Sequence, residues 1–249
     1  MSNKKLVSAR ELAEFLDLSV DTIWRYTRKK IIPYIELGPR QYRYNVEDVL
    51  AALHNGTSGV VQDESSDYAE TTKLTYADYA KLPAEAGYTT ELINGLIFRE
   101  PSPSFIHQRV SRRLQQILIA YFASTDPKGE VFNAPLDVYF NEYTVVQPDL
   151  IYLPSSRPAK NDPVDSLPEL VVEILSPSTS RTDRVIKLSV YQEAGIPHYW
   201  IVDPHEGIIE AYELRNNYYT SIVRYAEGTF IHPSFPDLSF DVDALFAEL

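Results

Sequence analysis

The chain has 249 residues, no cysteine, and 35 Asp and Glu against 23 Lys and Arg, which gives a net charge of -12. The lack of cysteine excludes disulfides and thiolate zinc sites, and the net charge argues against a protein that binds nucleic acid over its whole surface. No apolar run approaches the length of a membrane span, so we expect a soluble, cytoplasmic protein of one or two domains.

The charge is unevenly distributed along the chain. Residues 1–55 carry nine Lys and Arg and seven Asp and Glu, a net of +2, whereas the remainder carries a net of -14. Residues 56–72 are polar and acidic without a helical period, which is typical of a flexible linker. We therefore predict a small domain at 1–55, called the head, a linker at 56–72, and a larger domain at 73–249, called the body.

The head has the pattern of a small helical unit with a hairpin. Ser8 and Glu11 form a capping box for a first helix, and a second helix runs to about Arg28. A hairpin that turns at Gly38-Pro39 follows, and a last helix runs from Val46 to Leu53. This order of helix, turn, helix, wing and helix resembles the excisionase/MerR-type helix-turn-helix DNA-binding domain.

That resemblance implies which head residues contact DNA. The second helix would lie in the major groove, and the hairpin would touch phosphates or the minor groove. The alternative is a helical protein-interaction module, in which Arg28-Lys29-Lys30 is an ordinary solvated face. The residues expected to be exposed to DNA are Thr22, Arg25, Tyr26 and Lys29 on the helix, with Arg40, Gln41 and Arg43 on the hairpin.

The first half of the body alternates helical and strand patterns. A short helix capped by Thr75 precedes a plain hairpin over Tyr88–Arg99, in which Asn94-Gly95 supplies a type I′ turn. Ser104–Ala123 has the period of an amphipathic helix, and Val131–Tyr139 predicts one or two further strands.

The stretch from Gln147 to Pro204 predicts three buried strands and one helix. The strands are the apolar runs Val145–Leu153, Leu170–Leu175 and His198–Val202, and the helix begins near Thr182 and stops at Gly195. The rest of the chain predicts a hairpin that turns at Asn216-Asn217, a segment that covers a sheet edge, and a short helix over Val242–Phe246. The fold class is therefore α/β, with a mixed sheet flanked by helices.

Two of the buried strands each carry one acid, Asp149 and Glu173. A carboxylate there is unfavourable unless it is paired or binds a metal. The helical period places Lys187 inside the apolar arc of its helix, so we predict that it points toward the sheet. Two acids and an amine at one place are typical of metal-assisted phosphodiester hydrolysis. The alternative is a buried ion-pair network in which Lys187 snorkels.

Pro148-Asp149, a strand glutamate and a lysine resemble the PD-(D/E)xK nuclease superfamily. Leu175 stands where the superfamily usually has its lysine, and the resemblance implies that the lysine has moved to the following helix, at Lys187. The ordered motifs of Leu74–Leu249 resemble more specifically the Uma-two family of restriction-endonuclease-like proteins. They are Glu91-Leu92-Ile93-Asn94-Gly95, Gln147-Pro148-Asp149-Leu150, Val172-Glu173-Ile174-Leu175-Ser176-Pro177-Ser178 and Tyr199-Trp200-Ile201-Val202-Asp203-Pro204.

The resemblance implies a DNA endonuclease with Mg²⁺, or Mn²⁺, held by Asp149 and Glu173, since hard cations prefer oxygen ligands. Lys187 would be catalytic, and Glu91 and His107 match further positions of the family's site. Glu91 could instead form a cross-strand salt bridge on the surface, and His107 could be a capping or packing residue. Weaker candidates for the basic role are Arg181 and Arg184.

Two functions remain open from the sequence. The first is a metal-dependent DNA endonuclease targeted by its head, for which cleavage of both strands would favour a homodimer. The second is a non-enzymatic DNA-binding regulator whose nuclease-like body serves as an oligomerisation or effector domain. The acidic body and the displaced lysine favour the regulator, whereas the presence of both acids and an inward Lys187 favours the enzyme.

Overall fold

The computed structural model describes residues 6–15, 20–28, 31–38, 41–46, 48–49, 52, 73–176 and 182–249. The chain divides into two compact units, Met1–Thr72 and Lys73–Leu249, which are described separately. The expected linker lies outside the described residues. None of the helices in the described part of the chain is long and apolar enough to cross a membrane.

The head combines two helices with a small antiparallel sheet. Helices α1 (Ala9–Phe15) and α2 (Val20–Arg28) accompany the strands β1 (Leu6–Val7), β2 (Ile35–Gly38) and β3 (Gln41–Asn45). The sheet order is β1-β3-β2, so the expected hairpin is its β2–β3 pair. The fully buried core residues of the head are Leu12, Ile23, Ile32, Tyr44 and Val49.

Capping in the head follows the sequence pattern. The Ser8 amide donates to the Glu11 carboxylate at 2.8 Å, and the Glu11 amide donates to the Ser8 hydroxyl at 3.2 Å, which completes the predicted capping box. After β3, the Asn45 side chain accepts a hydrogen bond from the Asp48 amide at 3.0 Å, and residues 46, 48, 49 and 52 are helical.

Tyr26 is the one head prediction that the structure contradicts. Its side chain is buried in the head core, so the expectation that it is exposed to DNA is wrong. Ile23, Tyr26 and Thr27 lie three and four residues apart on α2, and this spacing places all three on the helix face that packs inward.

Two larger sheets and a two-stranded one build the body. The strands are β4 (Tyr88–Ile93), β5 (Leu96–Pro101), β6 (Glu130–Asn133), β7 (Val138–Asn141), β8 (Thr144–Val146), β9 (Leu150–Leu153), β10 (Leu170–Ile174), β11 (His198–Asp203), β12 (Ile208–Arg215), β13 (Tyr218–Tyr225), β14 (Thr229–Ile231) and β15 (Ser239–Asp241). The six-stranded sheet has the order β13-β12-β11-β10-β9-β6, and the four-stranded sheet has the order β5-β4-β8-β7.

The predicted strand over Val145–Leu153 is in fact two strands. Its first half is β8 of the four-stranded sheet, its second half is β9 of the six-stranded sheet, and Gln147-Pro148-Asp149 passes between them. Pro148 has no amide hydrogen to donate to a ladder, which suits this break. Asp149 therefore lies at the junction of two sheets rather than within a strand.

The central strands β10 and β11 run parallel, whereas their outer neighbours are antiparallel. Parallel neighbours need a crossover, and a helical segment provides it. Thr182–Lys187 forms a π-helical turn and continues as α5 (Leu188–Ala194), which ends at Gly195 in a left-handed conformation with φ 79°. The predicted helix from near Thr182 to Gly195 is thus present.

Alternate residues of the six-stranded sheet enter two different cores. One core includes Leu150, Val172 and Trp200 and lies against α4 (Phe105–Thr125) and the C-terminal elements, which include α6 (Val242–Phe246). The other includes Val171 and Ile201 and lies against the four-stranded sheet and α5. The body is thus the mixed sheet flanked by helices that the sequence predicts, with an additional antiparallel sheet on one face.

The predicted turns have the backbone that their residues favour. Asn94 and Gly95 between β4 and β5 have φ values of 53° and 83°, as a type I′ turn requires. The β12–β13 turn has φ values of 51° at Asn216 and 65° at Asn217. Before β4, the short helix α3 (Tyr76–Tyr79) starts at Thr75, which forms a capping box with Asp78.

Two histidines lie inside the aromatic part of the first core. The rings of His198 and His232 are 5.3 Å apart, and His232 also stacks on Trp200. Burial, with a further contribution from His198, lowers the pKa of His232 to about 4 from the ordinary 6.5. His232 therefore stays neutral in the folded body at pH values where an unfolded chain would protonate it.

We predict that acidification from pH 6.5 to 4 destabilises the body through His232. In this window the unfolded chain binds the proton and the folded chain does not, so the free energy of unfolding falls as the pH falls, by up to ~3 kcal/mol for a shift of this size. His232→Phe should flatten the pH dependence measured by urea unfolding. The exposed His205→Phe is the control and should leave it unchanged. Equal slopes in all three proteins would contradict the assignment.

Candidate active site

A cavity of about 230 Å³ opens where the two larger sheets meet the first turn of α4. Its walls come from β4, from the junction before β9, from the end of β10 and from the π-helical turn. The ionisable residues that line it are Glu91, Glu100, His107, Asp149, Glu173 and Lys187. The cavity thus brings together all five residues that the sequence predicts for the catalytic site.

Glu173 lies in the centre of the six-stranded sheet. It follows Val171 by two residues on β10 and therefore points to the face covered by α5. Only 2% of the residue is exposed. Its carboxylate accepts a hydrogen bond from the Tyr191 hydroxyl at 2.5 Å and pairs with the Lys187 ammonium at 3.1 Å. This buried carboxylate is held by two donors from one helical segment.

Lys187 is buried, as its place in the helical period predicts. Its ammonium lies 3.1 Å from Glu173 and 3.1 Å from Glu91, and 2% of the residue is exposed. A buried ammonium is stable only when carboxylates compensate its charge. The Lys187 ammonium forms ion pairs with two acids from different sheets. These ion pairs join the six-stranded sheet, the four-stranded sheet and the crossover segment.

Glu91 is a buried acid of the site, and the alternative of a surface salt bridge is wrong. Its carboxylate oxygen Oε1 accepts a hydrogen bond from the Gln147 amide at 2.7 Å in addition to pairing with Lys187. The second oxygen, Oε2, is buried and has no hydrogen-bond partner among the described residues. Glu91 lines the cavity, so this unsatisfied oxygen lies just below the cavity surface.

Asp149 and His107 form a second pair in the same cavity. The imidazole Nε2 of His107 lies 3.1 Å from Asp149 Oδ2, which also accepts a hydrogen bond from the Ile174 amide at 2.7 Å. His107 reaches this position because Ser104 caps α4 and accepts the His107 amide. The histidine therefore holds the aspartate, and Ile174 links Asp149 to the strand that carries Glu173.

The site has members that the sequence did not indicate. Tyr191 lies one helical turn after Lys187, and its hydroxyl donates to Glu173. Its position in the apolar arc indicates only a core residue, so the sequence pattern does not indicate this contact. Burial and then the neighbouring Glu173 carboxylate raise the pKa of Tyr191 well above 10, so this hydroxyl stays protonated and donates. Glu100 also lines the cavity. It lies on β5, which pairs with β4, and this pairing places it at the cavity.

The weaker basic candidates lie elsewhere or outside the described residues. Arg184 pairs with Glu210 and Asp203 and does not line the cavity. Arg181 lies outside the described residues. Leu175, at the usual position of the superfamily lysine, is a buried residue of the second core.

The residues of the cavity that could hold a hard divalent cation are its carboxylates. Asp149 and Glu173 supply carboxylate oxygens, and Mg²⁺ is commonly held by one or two carboxylates together with water and substrate phosphates. Among the described residues, no three His, Cys, Asp or Glu side chains are grouped as they would be around a metal ion. The described residues therefore offer no closed cage of protein ligands, and a cation held by Asp149 and Glu173 would need water or a substrate to complete its coordination.

The candidate DNA-contact residues of the head are described only in part. Arg43 on β3 is half-buried, and its guanidinium donates to the Tyr42 carbonyl at 3.0 Å. Thr22 and Arg25 belong to α2 and Gln41 to β3, but their side chains lie outside the described part. Lys29 and Arg40 lie outside it altogether.

Fold and cavity together define a chain with a helix-turn-helix head and a nuclease-like α/β body. Residues 6–57 match the family described as "Helix-turn-helix domain", and residues 76–243 match the Uma2 family, described as "Putative restriction endonuclease". The chain therefore belongs to the Uma2 family.

A solved structure shows a similar fold. It is the crystal structure of "a putative nuclease belonging to DUF820" from Anabaena variabilis, with a TM-score of 0.58 and 22% sequence identity. The alignment covers 70% of this chain and 97% of that chain. The comparison with curated proteins gives no match.

The shared ammonium makes a testable prediction about stability in metal-free buffer. Glu173→Gln alone should change the free energy of unfolding little, because Glu91 still pairs with Lys187. Glu91→Gln combined with Glu173→Gln should lose about 3–5 kcal/mol, because the buried ammonium then has neither carboxylate. Urea unfolding of the four members of this cycle in EDTA measures the coupling.

The control for this cycle is Glu206→Gln, which changes an exposed glutamate of the body. It should leave the free energy of unfolding unchanged. If the effects of the two cavity substitutions simply add, the two acids do not share Lys187.

Proposed function

We propose that the body hydrolyses phosphodiester bonds of DNA with Mg²⁺ or Mn²⁺, and that the head brings the body to DNA. The observation that carries the proposal is the convergence of Asp149, Glu173 and Lys187 on one cavity. Membership of the Uma2 family and the helix-turn-helix match of residues 6–57 support it.

Asp149 and Glu173 would hold the cation, because both present carboxylate oxygens to the cavity. When bound, a divalent cation lowers the pKa of coordinated water and neutralises charge that develops on the phosphate. Hydrolysis adds a water oxygen to phosphorus and breaks the bond from phosphorus to the leaving sugar oxygen.

The remaining residues of the cavity would position groups and move a proton. The Lys187 ammonium is a fixed positive charge that can orient the water or stabilise the developing oxyanion. Glu91, which lines the cavity and pairs with Lys187, would be the carboxylate that accepts the proton that the water loses. His107 keeps the Asp149 carboxylate in place.

A second candidate is a non-enzymatic DNA-binding regulator with an inactive nuclease-like body. The observation that favours it is the pairing of Lys187 with two buried carboxylates, which is also the geometry of a structural ion-pair network. Cleavage of DNA that depends on a divalent cation bound at Asp149 and Glu173 separates the two candidates. For the enzyme, we propose a homodimer as the form that cuts both strands.

The metal site predicts matched losses of binding and cleavage. Asp149→Asn and Glu173→Gln should each abolish Mn²⁺ binding measured by calorimetry and cleavage of plasmid DNA in Mg²⁺. The control Glu206→Gln, in an exposed turn of the body, should retain both. Wild-type protein that binds Mn²⁺ and DNA without cleaving would favour the regulator, and wild-type protein that binds no Mn²⁺ would exclude the proposed metal site.

The head makes its own prediction. In the full chain, Arg43→Ala and Arg25→Ala should weaken DNA binding and reduce the slope of log affinity against log salt by about 1 for each lost phosphate contact. The melting temperature of the body should not change. Arg215→Ala, which removes an exposed arginine of the body, is the control and should preserve both affinity and slope. Unchanged binding in the head variants would favour the protein-interaction module.

A further inference from the structure

A second cavity lies beside the candidate active site. It has a volume of about 280 Å³, and Thr89 and Gln147 line both this cavity and the active-site cavity. Gln147 therefore belongs to the wall that the two cavities share. The second cavity is also lined by Tyr79 and Asp137, neither of which lines the active-site cavity.

The side chain of Gln147 is bonded to the residues of the second cavity. Its carboxamide nitrogen Nε2 donates to Asp137 Oδ1 at 2.7 Å. The Tyr79 hydroxyl lies 3.1 Å from the same oxygen, and burial, followed by the charge of Asp137, raises the pKa of Tyr79, so this hydroxyl stays protonated. The main chain of Asp137 is held as well, because its carbonyl accepts from the Val164 amide at 2.9 Å. Asp137 is thus a fixed acceptor for the Gln147 side chain.

The main chain of Gln147 contacts the active site. Its amide donates to Glu91 Oε1 at 2.7 Å, and Lys187 pairs with the same oxygen. Two residues later, the same junction between β8 and β9 presents Asp149 to the active-site cavity. Pro148, between them, has no amide hydrogen with which to hold this segment. One short segment of chain therefore carries one carboxylate of the site and orients another.

We infer that Gln147 is a positioning residue of the active site and that Asp137 is its anchor. The hydrogen bond between their side chains holds the junction so that the Gln147 amide points to Glu91 and Asp149 reaches the cavity. This inference rests on the proposed function, because it names residues that act on a proposed metal ligand and on the proposed proton acceptor without contacting the substrate. Residues that hold a metal ligand in place commonly change metal affinity or activity by about 10–100-fold when they are replaced.

The polarity of this hydrogen bond distinguishes it from simple packing. The Gln147 nitrogen can only donate, and an ionised Asp137 can only accept. Gln147→Glu keeps the shape of the side chain but opposes two carboxylates. Adding Asp137→Asn to Gln147→Glu gives the reversed pair, which again has a donor and an acceptor and has the net charge of wild type. Asp137→Asn alone removes the charge but keeps an oxygen that accepts from Gln147.

Hydrogen exchange at the amide of residue 147, followed by NMR in the metal-free full chain, tests the anchor directly. Asp137→Ala and Gln147→Glu should each speed this exchange roughly tenfold, because the junction loses its side-chain bond. Asp137→Asn and the reversed pair should exchange like wild type. The Leu214 amide, which donates to the Pro197 carbonyl, should be unaffected in every variant. The control Asp165→Ala, which changes an exposed aspartate, should alter neither amide.

The effect on the site is measured by Mn²⁺ calorimetry and by the kinetics of DNA cleavage. Asp137→Ala should weaken Mn²⁺ binding and lower kcat, each roughly tenfold, with KM for DNA little changed, because the anchor does not contact DNA. Asp137→Asn and the reversed pair should stay close to wild type in both. The charge-only variant Asp137→Asn therefore separates loss of the hydrogen bond from loss of a negative charge near the cation.

The outcomes separate this inference from the proposed function. Unchanged exchange at residue 147 in Asp137→Ala, or an equal rise at Leu214, overturns the anchor whether or not the protein cleaves DNA. Faster exchange at residue 147 with wild-type Mn²⁺ affinity and kcat also overturns the inference, because the anchor then positions nothing in the site. A wild-type protein that binds no Mn²⁺ and cleaves no DNA removes the proposed function. Selectively faster exchange at residue 147 in Asp137→Ala would then still support the positioning of the amide against Glu91.

Discussion

The buried ammonium of Lys187 is the constraint on which the rest of the site depends. An amine that is 2% exposed needs carboxylates close by, and two buried carboxylates need a cation. Glu91 comes from the four-stranded sheet, Glu173 from the six-stranded sheet and Lys187 from the crossover between parallel strands. If any one of the three elements shifted, a charge would remain buried without compensation. The ion pairs therefore fix the relative positions of three parts of the body.

Two irregular segments bring these groups together. The π-helical turn Thr182–Lys187 delivers Lys187 at the point where the helix resumes its ordinary winding, and such turns are frequent at functional sites. The second segment is the junction between β8 and β9. Its Gln147 amide donates to Glu91, and its Asp149 carboxylate accepts from the Ile174 amide. These two backbone amides donate to carboxylates at the cavity instead of to a neighbouring strand, and they stabilise the charged form of those carboxylates.

The features that can be predicted from the sequence are those that depend on residues close together in the chain, such as a helical period or a two-residue turn. Lys187 falls in an apolar arc, and Asn94-Gly95 has only one favourable hairpin turn, so both could be placed without a structure. The same period places Tyr26 beside Ile23 on the inner face of α2, so its burial is also a local signal. The apolar run Val145–Leu153 gives no local sign of a change of sheet except its proline. Contacts between distant segments, such as those of Glu91 with Lys187 and of Glu100 with the cavity, depend on how two sheets approach each other.

The charge of the cavity decides where affinity for DNA must come from. The acids Glu91, Glu100, Asp149 and Glu173 line the cavity together with Lys187, in a body whose residues 73–249 carry 14 Lys and Arg against 24 Asp and Glu, a net charge of -10. Without a bound cation such a surface repels phosphates, and the net attraction that drives most non-specific DNA binding is missing.

The head carries a net charge of +2 and is the part of the chain suited to approach the backbone of DNA. A cation in the cavity can act on a phosphodiester only after that approach, because the DNA strand must first reach the cavity. In the proposed enzyme, the dependence of cleavage on salt is therefore set by the head, whereas the dependence on divalent cations is set by the cavity. The acidic body would then make cleavage selective for DNA that the head has bound, because its negative charge repels the phosphates of other DNA.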